Sequence, residues 1–441
     1  MDNRSFTISY FLCCVHKKII SFNNSQTVMA LNIVWIAFFV IAFIVAIIKF
    51  IFVPGNTDIF KILVDGIFDS AETSVMKVAL PLTGVMVFFL GLMNIAEKAG
   101  AIRWLARLLN PFMKRLFPGV PDKHPVMGEM VMNFSANMLG LDNAATPFGL
   151  KSMASLQSLN PDKETATDAQ IMFAGLHTSG LVIIPLSIFA YRLGANSHDV
   201  TSVFIPCVAG TVITTLATII ILSVKQKLRW DLVMIAWIAG ILAVVTALLL
   251  YVNSLPPEQK TVFGNLVGSL SLLILIVAII IGGVWKKVSV FDAFIDGAKT
   301  GFDVILKIIP YLVGMLVAIR VFRDSGTLDY IVNGIGWVVK SMGLNTDFVP
   351  ALPTAIMRPF SGAGSRGLML DAMHANGPDS FVGKLACTLM GSADTTFYIF
   401  ALYFGSVGIK KVRYAVWTCM AADIIGVIAA IMIAYAFFQR P

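Results

Sequence analysis

Two carboxylates stand out because of where they occur. Asp394, in GSADTTFY, and Asp423, in CMAADIIG, each lie inside an apolar run long enough to cross a bilayer. A carboxylate there is costly unless it is paired, protonated or bound to a cation. The chemistry this suggests is reversible uptake of a coupling ion, a proton or Na+. Ser392, Thr395 and Thr396 offer further oxygens beside Asp394, while Asp423 also suits a buried, hydrogen-bonded structural carboxyl. His177, with Thr178 and Ser179, occupies a similar apolar run. A lone helical histidine serves either as a satisfied interior residue or as a ligand-facing group.

Polar side chains also gather in two apolar stretches broken by Asn, Gly, Pro and Ser. The first, Met127-GEMVMNFSANMLGLDNAATPFGLKSM, places Glu129, Asn133, Asn137, Asp142, Asn143 and Thr146 near an expected turn. Asn133 and Asn137 are four apart and share a helix face. After the Gly140 break, Asp142, Asn143 and Thr146 can offer oxygens and cap a helix entered through Pro147. The second, Pro353-TAIMRPFSGAGSRGLMLDAM, has a tight small-residue turn, Ser361 to Ser365, flanked by Arg358 and Arg366 and followed by Asp371. Glycines there allow close backbone approach to a ligand. Arg358 can contact that ligand or pin the hairpin by pairing with a carboxylate. These residues are the candidate substrate-binding set: Asn133, Asn137, Asp142, Asn143, Thr146, His177, Ser179, Arg358, Ser361, Ser365, Ser392 and Thr395, with Asp394 and Asp423 as ion-coupling candidates.

Other chemistries lack a motif. The sequence contains neither a phosphate-cradling GxxxxGK[ST] nor a G-x-S-x-G elbow, so ATP-driven pumping and hydrolysis are unsupported and no enzymatic activity is expected. The five cysteines form no C-x-x-C pair and the five histidines no H-x-x-x-H face, so no disulfide framework, metal site or organic cofactor is expected. The net charge of +8 is not concentrated into a basic, aromatic-interleaved patch, which argues against a nucleic-acid partner.

The elements that position these residues follow from composition. Of 441 residues, 57% are hydrophobic and only 13% charged, against about 25% charged in soluble proteins. Nine runs are long enough to span a bilayer core: about 31–53, 75–94, 169–193, 200–224, 231–252, 263–285, 304–322, 380–405 and 412–437. The broken stretches 125–160 and 348–377 read as re-entrant hairpins, and 100–117 and 327–342 as interfacial amphipathic helices carrying Trp104 and Trp337. The expected fold is therefore an all-α polytopic membrane protein. Lys and Arg concentrate in 95–124, 225–230, 286–303 and 406–411, which places those loops and Met29 in the cytoplasm of a bacterial inner membrane and the C-terminus outside.

The two halves repeat. Phe60-KILVDG compares with Phe291-DAFIDG, Asn94-IAEKAGAIRWLARLL with Arg320-VFRDSGTLDYIVNGI, and His177-TSGLVIIPLSIFAYRLG with Met390-GSADTTFYIFALYFGSVG. Repeat one covers 29–226 and repeat two 263–441, with a linking helix in 227–262; residues 1–28 read as an extension upstream of a second start at Met29. One extra crossing between four-span repeats inverts the second copy, the architecture of transporters with broken helices at the midplane. Asp394 aligns with Leu181 and Asp423 with Gly210, so the coupling site is expected to be asymmetric.

At these motifs the sequence resembles spore maturation protein A joined to spore maturation protein B. The A-type pattern is carried by ANMLGLDNAATPFGLKSM (136–153) and SLQSLN (155–160); the B-type pattern by MRPFSGAGSRG (357–367), TTFYIFALYFGSVGIKK (395–411) and RYA (413–415). The family belongs to the nucleoside-recognition Gate-domain group, whose resemblance to concentrative nucleoside transporters implies hairpins near a substrate site and an elevator-like motion. The sequence departs from the pattern at Asp394, where the B-type motif usually has Glu, and at Asp142, where a smaller residue is expected. No nucleoside-binding residue carries over, because those motifs do not match here. The expected function is secondary transport of a small polar solute, with nucleoside-like solutes among the candidates. The alternatives are a membrane scaffold that recruits an envelope enzyme and a flippase for a lipid-linked precursor. Membrane lipid and a second copy of the chain are further expected partners.

Overall fold

In the computed structural model, residues 35–121, 124–139, 142–183 and 185–438 are described. The extension 1–28 lies outside them. Among the described residues the architecture is helical without a strand, and seven stretches are long and apolar enough to cross a membrane. The protein is a polytopic helical membrane protein.

The first half comprises α1 (Trp35–Phe52), α2 (Ile59–Thr73), α3 (Leu80–Lys98), α4 (Ala101–Leu116), α5 (Val126–Met138), α6 (Asp142–Leu159), α7 (Asp168–Thr178), α8 (Leu186–Gly194) and α9 (Phe204–Lys225). After α10 (Leu232–Ser254) come α11 (Pro257–Trp285), α12 (Val290–Asp324), α13 (Thr327–Ser341), α14 (Leu352–Met357), α15 (Gly362–Asn376), α16 (Phe381–Gly391), α17 (Thr396–Ser406) and α18 (Ala415–Phe437).

Two segments expected as loops are helical. A π-helical turn at Ser74–Ala79 joins α2 to α3, so Ile59–Lys98 forms one helix of 40 residues, and α12 runs for 35. Most of the acidic stretch between the runs 31–53 and 75–94, from Ile59, and most of the basic segment 286–303, from Val290, thus extend their neighbouring spans. Two of their acidic residues, Asp296 and Asp69, pair with basic side chains of the opposing helix. Lys98 pairs with Asp296 at 2.9 Å, and Arg320 with Asp324 at 2.7 Å and Asp69 at 3.5 Å. These two long helices run antiparallel. Gly66 of FKILVDG packs against Arg320 and Asp324, while Gly297, its counterpart in FDAFIDG, packs against Leu90 and Asn94. A Cβ at Gly297 would overlap the Leu90 carbonyl and Asn94 Cβ, so glycine is what permits the close approach there, while at Gly66 a Cβ would press on the Asp324 carboxylate. Arg320 and Asn94 are themselves counterparts in the repeat alignment. The same contact therefore occurs twice with the roles of the halves exchanged.

α4 and α13 match the expected amphipathic segments. Ile102, Leu105, Leu109, Phe112, Met113 and Leu116 are buried along one face of α4, the spacing of a helix with a single core-facing stripe, whereas Trp104 and Trp337 stand exposed. α4 is tied to α10 by Arg115, 2.9 Å from Asp231. Asp231 also caps α10 by accepting from the Met234 N–H, and that bond first, then Arg115, holds its carboxyl below the usual carboxylate range.

The stretches 125–160 and 348–377 form helical hairpins, α5–α6 and α14–α15. The runs 169–193 and 380–405, read as straight spans, are instead broken: α7 and α8 are separated by Ser179–Pro185, and α16 and α17 by Ser392–Thr395. Gly180 and Pro185 explain the first break. Gly180 adopts φ +61°, a left-handed conformation, and Pro185 supplies no N–H to continue a helix. At the second, the Asp394 side chain accepts from the Thr395 N–H, replacing a helical bond.

The broken helices run side by side and antiparallel. Beyond α8, Ser197 and His198 bond Asp379 just before α16; beyond α17, Lys410, Arg413 and Tyr414 bond Glu164 and Asp168 around the start of α7. The outer halves are exchanged between cores. α17 packs on α6 and α7, while Ile188 and Phe189 of α8 join the core built from α15 and α16.

Candidate functional site

The two hairpin tips and the two breaks converge. The Ile183 N–H, in the first break, donates to the Met138 carbonyl at the tip of the first hairpin (2.8 Å), and the Phe397 N–H, at the second break, donates to the Pro359 carbonyl in the turn of the second (3.0 Å). The breaks meet directly, because the Asp394 N–H donates to the Thr178 carbonyl at 2.8 Å and Gly180 leaves room for this contact. The N-termini of α8, α15 and α17 and the C-termini of α5, α7, α14 and α16 therefore end near one another. Helix termini carry unsatisfied N–H and C=O groups and partial charges of both signs, so this place can accept anionic, hydroxyl or cationic groups.

On the first-hairpin side, Asn133 donates to the Ala145 carbonyl across the hairpin (2.6 Å) and to the Tyr403 hydroxyl (3.3 Å). Tyr403 lies 2.9 Å from His177 Nδ1, and Asn133 Oδ1 lies 3.3 Å from the same nitrogen. Phe173 stacks on the Tyr403 ring at 5.3 Å. All three polar groups are buried. One turn beyond Asn133, the Asn137 amide nitrogen is buried with no hydrogen-bond partner among the described residues. A buried unsatisfied donor is destabilising by about 1–3 kcal/mol, so its retention calls for an explanation. The side chains of Asp142 and Asn143 lie outside the described residues. Thr146 sits partly buried in the first turns of α6. Glu129, expected near the hairpin turn, is instead in the first turn of α5 at the hairpin base, 3.2 Å from Lys151.

On the second-hairpin side, Arg358 donates through Nε to the Ala393 carbonyl at 2.8 Å, and through Nη2 to the same oxygen. Nη2 also lies 3.8 Å from Asp394 Oδ1. Arg358 thus pins hairpin to break, mainly through a backbone carbonyl. Several expected ligand hydroxyls are engaged within the scaffold. Ser361 caps α15 by accepting from the Gly364 N–H, Ser365 donates to the Thr354 carbonyl, and Ser392 donates to the Leu389 carbonyl. Ser179 donates to the Leu176 carbonyl and accepts from Thr215 at 3.0 Å. Thr395 is buried against Gly362. Asp423 accepts from the Thr396 hydroxyl at 2.6 Å, so it is anchored to the start of α17. Arg366 reaches Tyr191 of α8 at 3.3 Å, and Asp371 pairs with Arg323 of α12.

Tyr403 and Thr215 are absent from the sequence-derived set. Tyr403 had a signal: it aligns with Ala190 in repeat one, the same kind of asymmetry that singles out Asp394. Thr215 lies in a run of threonines within an apolar helix, where hydroxyls ordinarily bond the preceding turn, and carried no such signal.

Paired helical hairpins meeting paired broken helices inside a polytopic bundle define a membrane protein with a polar centre. The nucleoside-recognition (Gate) family model matches residues 79–195 and 305–410, half of the chain and every element of this centre except Thr215 and Asp423. The protein belongs to that family. It is similar to spore maturation protein B of Bacillus subtilis (strain 168), 44% identical over 165 residues that cover 37% of this chain and 91% of that protein. It is likewise similar to spore maturation protein A of the same organism, 34% identical over 190 residues, 43% of this chain and 92% of that protein.

Proposed function

We propose that the protein is a secondary transporter that moves a small polar solute across the bacterial cytoplasmic membrane by alternating access. The reading rests on one observation: two hairpin tips and two helix breaks meet around buried polar side chains, and the Asn137 amide nitrogen there has no partner among the described residues. Opened backbone inside a bilayer is tolerated where protein buries it or where a cavity is lined. The duplicated, antiparallel contacts are what inverted repeats predict, and such repeats exchange states by moving one body against another. A nucleoside, with hydroxyls and ring acceptors for a carboxamide donor, is the solute class favoured by the family's description as nucleoside recognition. Asp394 is the proposed coupling carboxylate, binding a proton or Na+, with Asp423 holding α17 in place beside it. In this reading the basic loops and Met29 face the cytoplasm.

Uptake by proteoliposomes of the purified protein tests this, with labelled nucleosides, nucleobases and small organic acids under separate proton and Na+ gradients. Saturable, gradient-dependent uptake that is lost in Asn137→Ala and becomes gradient-independent in Asp394→Asn is expected. Flat uptake by folded protein across the panel, without thermal stabilisation by any solute, would move the assignment to a scaffold for envelope enzymes or a lipid-precursor flippase.

A further inference from the structure

α4 has three faces rather than two. One is buried in the core, and a second carries the exposed Trp104 and Leu108, 67% and 51% accessible. The third holds Arg103, Arg107, Asn110 and Lys114. Their i, i+4, i+7, i+11 spacing places them along a single stripe of the helix. This stripe forms one wall of a groove of about 410 Å³ against α5, with His124 at its end and Met127 and Val131 on its floor. Among the described residues no carboxylate lines the groove, and Arg103 and Arg107 form no ion pair with any of them. Two guanidinium groups without an acidic partner among the described residues thus stand beside an apolar floor, in a helix whose next face is an exposed tryptophan and leucine.

We propose that this groove binds the headgroup of an anionic phospholipid, phosphate against Arg103 and Arg107 and the glycerol end over Met127 and Val131. The occupant follows from charge and from amphiphilicity together. Guanidinium groups bind phosphate oxygens through paired, charge-assisted bonds. A helix with an exposed Trp and Leu stripe beside a cationic one matches the interface between acyl chains and headgroups, where juxtamembrane basic residues attract anionic lipid. A soluble phosphate would make no use of the apolar floor. Because α4 packs on α5, a lipid held there braces the outer arm of the first hairpin. The site is separate from the polar centre at the hairpin tip and does not depend on transport.

Native mass spectrometry of the full-length protein in detergent, titrated with phosphatidylglycerol and phosphatidylcholine in competition, tests the proposal. Phosphatidylglycerol is expected to be retained in preference to phosphatidylcholine. Arg103→Gln with Arg107→Gln should weaken its retention on the order of 30-fold, from two lost surface cations. Arg103→Lys with Arg107→Lys should keep most of it, and Lys286→Gln with Lys287→Gln, which removes two exposed charges elsewhere, should leave it unchanged. Unaltered retention in the glutamine variant, equal retention of phosphatidylcholine, or displacement by excess inorganic phosphate would each overturn the assignment. The substituted side chains are exposed, and a monodisperse elution profile with unchanged helicity verifies that the variants fold.

Discussion

Between α7 and α8 the chain leaves the helix through Ser179–Pro185, mostly apolar residues around Gly180; between α16 and α17 it does so through Ser392–Thr395, which carries Asp394 and is clamped by Arg358. The outer anchors differ in the opposite sense. Arg192 at the end of α8 is fully buried, bonded to Asp379 at 2.8 Å and to Ser197 and the Asp199, Val200 and Pro378 carbonyls. Arg413 and Lys410 beyond α17 reach Asp168 and Glu164 from solvent-exposed positions. One broken helix is thus fixed at its outer end and unadorned at its break, while the other is loosely tied outside and chemically equipped inside. One segment is held at its outer end by a buried ion pair, while the other carries a carboxylate at its break.

The largest effect is expected at the buried anchor. Asp379→Ala leaves the Arg192 guanidinium without its countercharge and should destabilise the protein by about 3–5 kcal/mol. Asp168→Ala at the exposed anchor should cost at most about 1 kcal/mol. Thermal unfolding of both in one detergent measures the difference, and equal losses would erase the contrast. Next, Gly180→Ala forces a side chain into a left-handed conformation against the Asp394 backbone, at a cost of about 2 kcal/mol. Ala393→Gly, the aligned position in the second break, should cost no more than about 1 kcal/mol. Tyr403→Phe removes the hydroxyl shared by Asn133 and His177 and should lower stability by about 1–2 kcal/mol while altering solute affinity. Smallest in stability is Asp394→Asn, whose carboxamide still accepts from the Thr395 N–H. Its expected signature is lost ion dependence of uptake with an almost unchanged melting temperature.

The anchor also predicts a pH dependence. Burial opposes ionisation of Asp379, but the Ser197 hydroxyl, the His198 N–H and Arg192 together outweigh it and hold the carboxyl below its ordinary range. A carboxyl depressed in the folded state contributes stability above its unfolded pKa of about 3.9, and that contribution is lost as pH falls through the lower folded value. Melting temperature should therefore fall more steeply below about pH 4 in the wild type than in Asp379→Asn. Parallel acid profiles would show that another group governs the transition.

Much of this was legible in the sequence. The hairpins, the amphipathic α4 and α13, and the repeated motifs follow from apolar run length, helical spacing and breaking residues, all local properties. The sequence also pointed to Asp394, since a carboxylate in an apolar run with no counterpart in the other copy is conspicuous without coordinates. Two features read less well. The charged segments 54–74 and 286–303 look like loops because a local count cannot know that Lys98 will meet Asp296 or that Arg320 will meet Asp69. Likewise GLVIIP and SADT lie in runs apolar enough to pass as continuous spans, although Gly180, Pro185 and Asp394 mark where they open.

What the sequence determined by itself was a helical membrane chain, its repeated motifs, the two helical hairpins and the carboxylate that only one of the matching segments carries. These depend on solvent preference and backbone chemistry within a few turns of helix. Only the tertiary structure decided that Tyr403 of one half completes a network with Asn133 and His177 of the other, that Ser361, Ser365 and Ser392 serve the scaffold, and that the Asn137 amide nitrogen finds no partner among the described residues. Those outcomes depend on which polar groups meet across distances of up to hundreds of residues, and a hydroxyl or amide carries no mark of its partner until packing brings the two together.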